Sequence, residues 1–267
     1  MIFYLSCTGN TLWAVRQIAE ATGERLVNIA EPEAATEVYA LAEEERIGFC
    51  FPVHCWRPPM LYRLFIKHLC LVHPDEHHYA YALCTAGDDI GRTIDILQSD
   101  LCQHGIRLQA AWSLIMPETY VGLPFMDVDT PEHEHEKIAL SQQRLNAIIP
   151  RIVNREGSAT PLDTGGMAGL KSGIVAMAFN RWWVNDRLFR VDTSRCLHCR
   201  KCEEACPVGD ISCSQEGHTP RWLHTGRCLT CLSCYHHCPA HAISFAGQTR
   251  NKGQYYFERN KKRQTNK

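Results

Sequence analysis

Two stretches of this chain repeat one arrangement of thiols: CLHCRKCEEACP from Cys196 to Pro207 and CLTCLSCYHHCP from Cys228 to Pro239. Each reads CxxCxxCxxxCP, and together they hold eight of the 15 cysteines. Thiolates at i, i+3 and i+6 on a tight loop can face three corners of one Fe4S4 cube, and the fourth corner needs a cysteine from elsewhere. Structural zinc is disfavoured, because it takes four ligands in a tetrahedron, usually from two separated CxxC pairs. A disulfide framework fits less well still, since such frameworks belong to small secreted domains and MIFYL lacks the basic region of a secretion signal. The chemistry calls for a reducing compartment, and the cytoplasm is the expected one.

The spacing resembles that of bacterial two-cluster ferredoxins, in which the fourth ligand of each cluster comes from the other copy of the motif. That resemblance implies one 4Fe-4S cluster on Cys196, Cys199, Cys202 and Cys238, and a second on Cys228, Cys231, Cys234 and Cys206.

The motifs occupy only the last third of 267 residues, so a larger unit precedes them. With 28 basic and 29 acidic residues the chain has no overall electrostatic preference for nucleic acid. No run approaches the roughly 18 apolar residues of a membrane span, and GIVAMAF at 173–179 is interrupted at once by Asn180 and Arg181.

Ahead of the cysteines, strand and helix patterns alternate. Ile2–Leu5, Arg25–Ile29, Arg46–Phe51, Tyr79–Cys84 and Leu108–Ile115 read as strands. Helices are predicted from Leu12 to a stop at Gly23, over Glu33–Glu44, over Pro59–Leu71 with Leu61, Leu64, Phe65 and His68 on one side, over Ile90–His104, and over Asp129–Val153. Thr130 caps the last, Pro131 opens it, and Glu132, Glu134 and Glu136 meet the positive end of its dipole. The expected fold is α/β: a doubly wound, five-stranded parallel sheet covered on both faces, followed by a small α+β cysteine domain.

The loop Ser6, Cys7, Thr8, Gly9, Asn10, Thr11 joins the first strand to the first helix. Its hydroxyl and amide groups around a glycine suit an anion at a helix start, but the spacing matches neither GxGxxG nor a P-loop. An ordinary capped turn is the plain alternative. SCTGNT resembles the phosphate loop of flavodoxins, which implies FMN held through Ser6, Thr8, Gly9, Asn10 and Thr11. FPVHCWRPP resembles the loop that sets an aromatic ring on the flavin, matching Trp56, and CTAGDDIG resembles the loop at the other flavin edge, matching Thr85 and Gly87. Flavodoxins often carry a glycine in the aromatic loop; here Arg57 follows Trp56. Over residues 1–257 the chain resembles flavodoxin–ferredoxin fusions, called ferrodoxins, with MPETY, PRW and KGQYYF as further points of likeness. The implied organisation is a flavodoxin-like domain at 1–155, a linker and interdomain helix at 156–190, a two-cluster ferredoxin domain at 191–248 and a basic tail at 249–267.

The resulting expectation is an electron carrier in which FMN and two clusters link a two-electron to a one-electron redox partner protein. Two alternatives stand beside it. One is a flavin reductase with Tyr120, His54 or Cys55 as proton donor; the other is a partner-binding ferredoxin without FMN. The 14 histidines, including the pairs at 77–78, 133/135 and 236–237, show no separate metal-site spacing, and His236 and His237 read as packing or as hydrogen-bond donors to cluster sulfur. Cys7, Cys50, Cys55, Cys70, Cys84, Cys102 and Cys213 read as small buried hydrophobes, with Cys55 the one to test for reactivity. Leu170–Phe189, apolar with Trp182 and Trp183, suggests a helix at the domain interface, with a membrane surface as the alternative. The tail from Arg250 carries seven basic residues and one acidic residue, suited to steering an acidic partner or to plain solvation.

Overall fold

A computed structural model describes residues 1–72, 78–213 and 218–259; His77 and the last eight residues of the basic tail lie outside the described residues. The first unit runs β1 (Ile2–Tyr4), α1 (Asn10–Thr22), β2 (Leu26–Asn28), β3 (Val38–Ala40), β4 (Ile47–Pro52), α2 (Met60–His68), β5 (Cys70–Val72), β6 (Ala80–Ala86), α3 (Thr93–Leu101), β7 (Leu108–Ile115) and α4 (Pro131–Val153). Five of these strands form one sheet in the order β2-β1-β4-β6-β7, with every pairing parallel. Counting only sheet strands, this is the 2-1-3-4-5 order of flavodoxin-like folds, whose ligand crevice opens at the carboxyl ends of the first and third strands.

Side-chain alternation builds the two faces. Phe3, Phe49, Phe51, Ala82 and Cys84 point to one core, which takes Tyr62, Phe65 and Ile66 of α2 and Leu97 and Leu101 of α3. Ile2, Cys50, Tyr81, Leu83, Trp112 and Leu114 point to the other, closed by Ala14, Val15 and Ile18 of α1 and Leu145, Ile148 and Ile152 of α4. At α4 the Thr130 hydroxyl accepts from the His133 amide at 3.3 Å, as a capping residue should.

Two helical expectations fail. Over 33–44 the chain makes only a short 3-10 turn, Pro32–Ala35, and then β3, which pairs in parallel with β5 outside the main sheet. Tyr39 decides this: its ring is buried edge-on against Phe3 at 4.9 Å and its hydroxyl donates to Ala34 O, which an Ala/Glu-rich surface helix would not permit. In α2 the buried stripe is Tyr62, Phe65 and Ile66, while Leu64 is 48% exposed and His68 faces solvent; the i, i+3, i+4 phase starts one residue later than the leucines suggest.

Beyond α4, a helical segment runs through Ala168–Leu170, Lys171–Val175 and Ala176–Trp182, kinked at Gly173. Then follow β8 (Phe189–Val191), β9 (Ile211–Ser212), β10 (Arg221–Trp222) and β11 (Ile243–Phe245), paired antiparallel as β8 with β11 and β9 with β10. This small ferredoxin-like region packs its own core of Phe189, Ile211, Leu232, Tyr235, Ile243 and Phe245. Among the described residues no helix is long and apolar enough to cross a membrane.

Candidate functional site

The two cysteine motifs fold alike. Each begins as an irregular loop and enters a one-turn helix at its third cysteine, Lys201–Glu204 around Cys202 and Ser233–His236 around Cys234. Matched positions hold left-handed backbone on residues other than glycine: His198 (φ 53°) with Thr230 (φ 50°), and Arg200 (φ 61°) with Leu232 (φ 60°). Such conformations cost about 1–3 kcal/mol each and cluster where a ligand repays them. After the fourth cysteines, the Asp210 amide donates to Cys206 Sγ at 3.2 Å and the Ala242 amide to Cys238 Sγ at 3.3 Å, the same bond in each copy.

The thiols group across the copies. Cys196, Cys199, Cys202 and Cys238 line one small cavity with Leu197, Pro220 and Ile243. Cys234, fully enclosed, has its thiol pushed well up by burial and then by the neighbouring Cys231, Cys228 and Cys206. Burial likewise pushes Cys202 and Cys228 up to about 12, so bare thiols here stay protonated until a cation displaces the proton. Among the described residues no three His, Cys, Asp or Glu side chains converge on a single-ion site. Thiols that ring a cavity fit a polynuclear cluster.

The loop after β1 presents its donors outward. Leu12 N donates to Ser6 Oγ (3.2 Å) and Trp13 N to Gly9 O (2.9 Å), while the amides of Asn10 and Thr11 have no acceptor among the described residues. Thr11 Oγ1 meets Thr85 Oγ1 at 2.8 Å, and Asn10 Nδ2 donates to Pro117 O. Gly9 sits at φ 99°, and a Cβ there would lie 2.9 Å from Phe257 Cβ, so both the backbone and the close approach require glycine.

The aromatic loop is a tight two-residue turn. His54 N donates to Arg57 O (2.9 Å) and Arg57 N to His54 O (3.2 Å), with Cys55 and Trp56 both left-handed at φ 48° and 57°. Lys171 Nζ stands 5.3 Å above the Trp56 ring while paired with Asp89 at 2.5 Å. Burial lowers His54 to about 4 and raises Cys55 to about 11. The Cys55 thiol, the one singled out for a test of reactivity, is therefore more firmly protonated at neutral pH than an ordinary thiol.

Ser6, Thr8, Asn10, Thr11, Trp56, Thr85 and Gly87 all line one cleft of about 640 Å³, as do His54, Cys55 and Tyr120. Gly9 faces Phe257 instead. The far wall of the same cleft is formed by Cys228, Leu229, Thr230 and Cys231. No motif placed the second cysteine loop there.

Four other contributors escaped the sequence reading. Glu118 fills the space beside Gly87, where a Cβ would meet its Oε2 at 2.2 Å; burial raises its carboxyl despite bonds from the Thr119 and Tyr120 amides. The Cys7 thiol neighbours that of Cys231, and Ser233 Oγ donates to Cys7 O at 2.9 Å. Tyr255 OH donates to Asn10 Oδ1 (2.8 Å) and Phe257 N to Thr8 O (2.8 Å). KGQYYF was the one available signal for those last two. His236 takes the packing role: its Nδ1 accepts from the Tyr255 amide and its Nε2 lies 2.7 Å from Thr119 O.

Residues 188–211 match the 4Fe-4S binding domain family. No curated protein matches the chain. Among solved structures, a crystal structure named "Putative flavoprotein" from Bacteroides uniformis is similar at 20% identity and a TM-score of 0.33, over 43% of this chain and 88% of that one.

Proposed function

We propose that the chain is an iron–sulfur flavoprotein electron carrier of the flavodoxin–ferredoxin fusion type. In this reading residues 1–155 bind FMN, 156–190 join the parts and 191–248 carry two 4Fe-4S clusters. The observation that carries it is the shared cleft: the donors of the Ser6–Thr11 loop and two second-motif cysteines, Cys228 and Cys231, line one cavity. The unpaired amides of Asn10 and Thr11 with the Ser6 and Thr8 hydroxyls suit a phosphate at the start of α1. Trp56 supplies a ring surface, with Thr85 and Gly87 at the opposite edge.

When bound, FMN exchanges two electrons and each cluster one, so the pair can join a two-electron to a one-electron partner. The protein orients these centres and excludes water. Cys228 and Cys231 put the second set of thiols against the cleft, and the first set lies farther out, with Cys199 exposed. In this reading Cys228, Cys231, Cys234 and Cys206 would hold the cluster nearer the flavin, and the other set would hold the one nearer a redox partner protein. All 15 cysteines are free of disulfides, in keeping with a reducing cytoplasm.

A small-molecule reductase is the second reading, favoured by one feature: the Tyr120 hydroxyl is buried in the cleft with no well-formed hydrogen bond among the described residues. Anaerobic purification with assays of iron, sulfide and released flavin tests the first. About eight iron, eight sulfide and one FMN per chain are expected from the ligand count. Stoichiometric zinc without sulfide, or clusters without flavin, overturns it. Turnover of a defined small molecule with an artificial donor and no partner protein selects the reductase.

A further inference from the structure

The helical segment 168–182 has two apolar sides, and only one has a partner among the described residues. Inward, Ser172 accepts from the Arg92 amide at 2.8 Å, Ala176 is fully buried, and the Phe179 ring meets Tyr120 edge-on at 5.5 Å. Outward stand Met167 (71% exposed), Leu170 (46%), Ile174 (68%) and Met177 (54%), with Trp182 at the end of the row at 73%. Met167 to Met177 follow at spacings of three and four residues across the kink at Gly173, with Trp182 five residues on, and together they expose apolar surface of a kind that monomeric soluble proteins rarely leave open.

We infer that this stripe is a membrane-surface anchor that rests on anionic lipid. No acidic residue occurs between Asp163 and Asp186, whereas Lys171, Arg181 and then Arg187 flank the stripe. Lys171 is engaged with Asp89; Arg181 and Arg187 are exposed. A second copy docked through the same stripe would bring basic groups against basic groups with no carboxylate on the segment to answer them. Anionic headgroups supply that countercharge. The row ends in Trp182, whose amphipathic ring suits the headgroup boundary, and the segment is too short to span. Val175 on the same segment lines the cleft and is 43% exposed, alongside Phe125 at 83% and Leu64 at 48%. The cleft therefore opens beside the anchor.

Full-length protein is sedimented with phosphatidylcholine vesicles, with and without phosphatidylglycerol. Binding is expected only with the anionic lipid, weakened by salt, and weakened roughly tenfold or more by Ile174→Glu or Met177→Glu, each of which sets a charge in the apolar face. Arg181→Glu should weaken it further from the electrostatic side. Circular dichroism on each variant separates loss of binding from loss of folding. Wild-type protein that stays in the supernatant with anionic vesicles overturns the proposal. So does a concentration-dependent dimer abolished by Ile174→Glu, which would assign the stripe to a second copy. Iron and flavin assays on the same sample keep this result apart from the fate of the carrier reading.

Discussion

The thiol of Cys7, in the loop after the first strand, neighbours the thiol of Cys231, 224 positions later in the second cysteine motif. That neighbour and burial together raise Cys231 far above the ordinary thiol range. Cys213 stands in the same relation to Cys202 of the first motif. In the proposed two-cluster carrier each set of four thiols therefore has one extra cysteine beside a ligand sulfur, placed to donate to it. Hydrogen bonds to ligand sulfur stabilise the added electron and raise cluster potential. Cys7→Ala should accordingly lower the potential of the second cluster by on the order of tens of millivolts, and Cys213→Ala that of the first. Redox titration followed by electron paramagnetic resonance reads both, with iron content unchanged. Loss of iron in either variant would mean that the extra cysteine is a ligand.

The grouping of thiols makes a second prediction. Cys206 neighbours Cys231 although it belongs to the first motif, and Cys238 lines the cavity of Cys196, Cys199 and Cys202 although it belongs to the second. Cys206→Ala should remove the cluster on Cys228, Cys231 and Cys234 and leave the other, taking iron from about eight to about four per chain. Cys238→Ala should remove the opposite one. Spectra showing that each substitution destroys the cluster of its own motif would contradict the crossed arrangement.

Tyr255 tethers the phosphate-type loop to the C-terminal segment through Asn10 Oδ1. Removing its hydroxyl leaves the Asn10 carbonyl buried without that donor, a loss of about 1 kcal/mol. Tyr255→Phe should weaken FMN binding roughly fivefold in a fluorescence-quenching titration. Unaltered affinity would show that Asn10 is held well enough by Pro117 alone.

His54 supplies the pH dependence. Burial lowers its pKa from the usual 6.5 to about 4, so between those values the unfolded chain takes up a proton that the folded chain refuses. Stability is thus fully present above pH 6.5 and declines as pH falls toward 4. The full linkage is about 3 kcal/mol, and the partial exposure of His54 at the cleft edge reduces it to about 1–2 kcal/mol. Urea unfolding across this range should show the decline, and His54→Gln should flatten it. An equal slope in that variant would assign the decline to other groups.

The parallel sheet was legible because strands buried on both faces must be apolar throughout, as Phe49-Cys50-Phe51 and Ala82-Leu83-Cys84 are. β3 was not, since its strand character comes from Tyr39 finding Phe3 and Phe65 across the fold. The phase of α2 was missed for the same reason: exposed and buried leucines look alike until the helix has a neighbour. The helix expected over Leu170–Phe189 ends at Trp182 and Phe189 opens β8, and periodicity could not say that the segment has two apolar sides and one partner among the described residues.

Local spacing alone determined the two CxxCxxCxxxCP loops and the SCTGNT turn, because a thiol triplet or a donor-rich helix start is set by neighbours a few residues away. Tertiary structure decided what those loops face. The crevice at the carboxyl ends of β1 and β4 is lined also by Cys228 to Cys231, and Tyr255 and Phe257 bond its loop, all more than 200 residues from Cys7 and Thr8. Contacts at that separation depend on how two cores dock, and no local pattern encodes the docking.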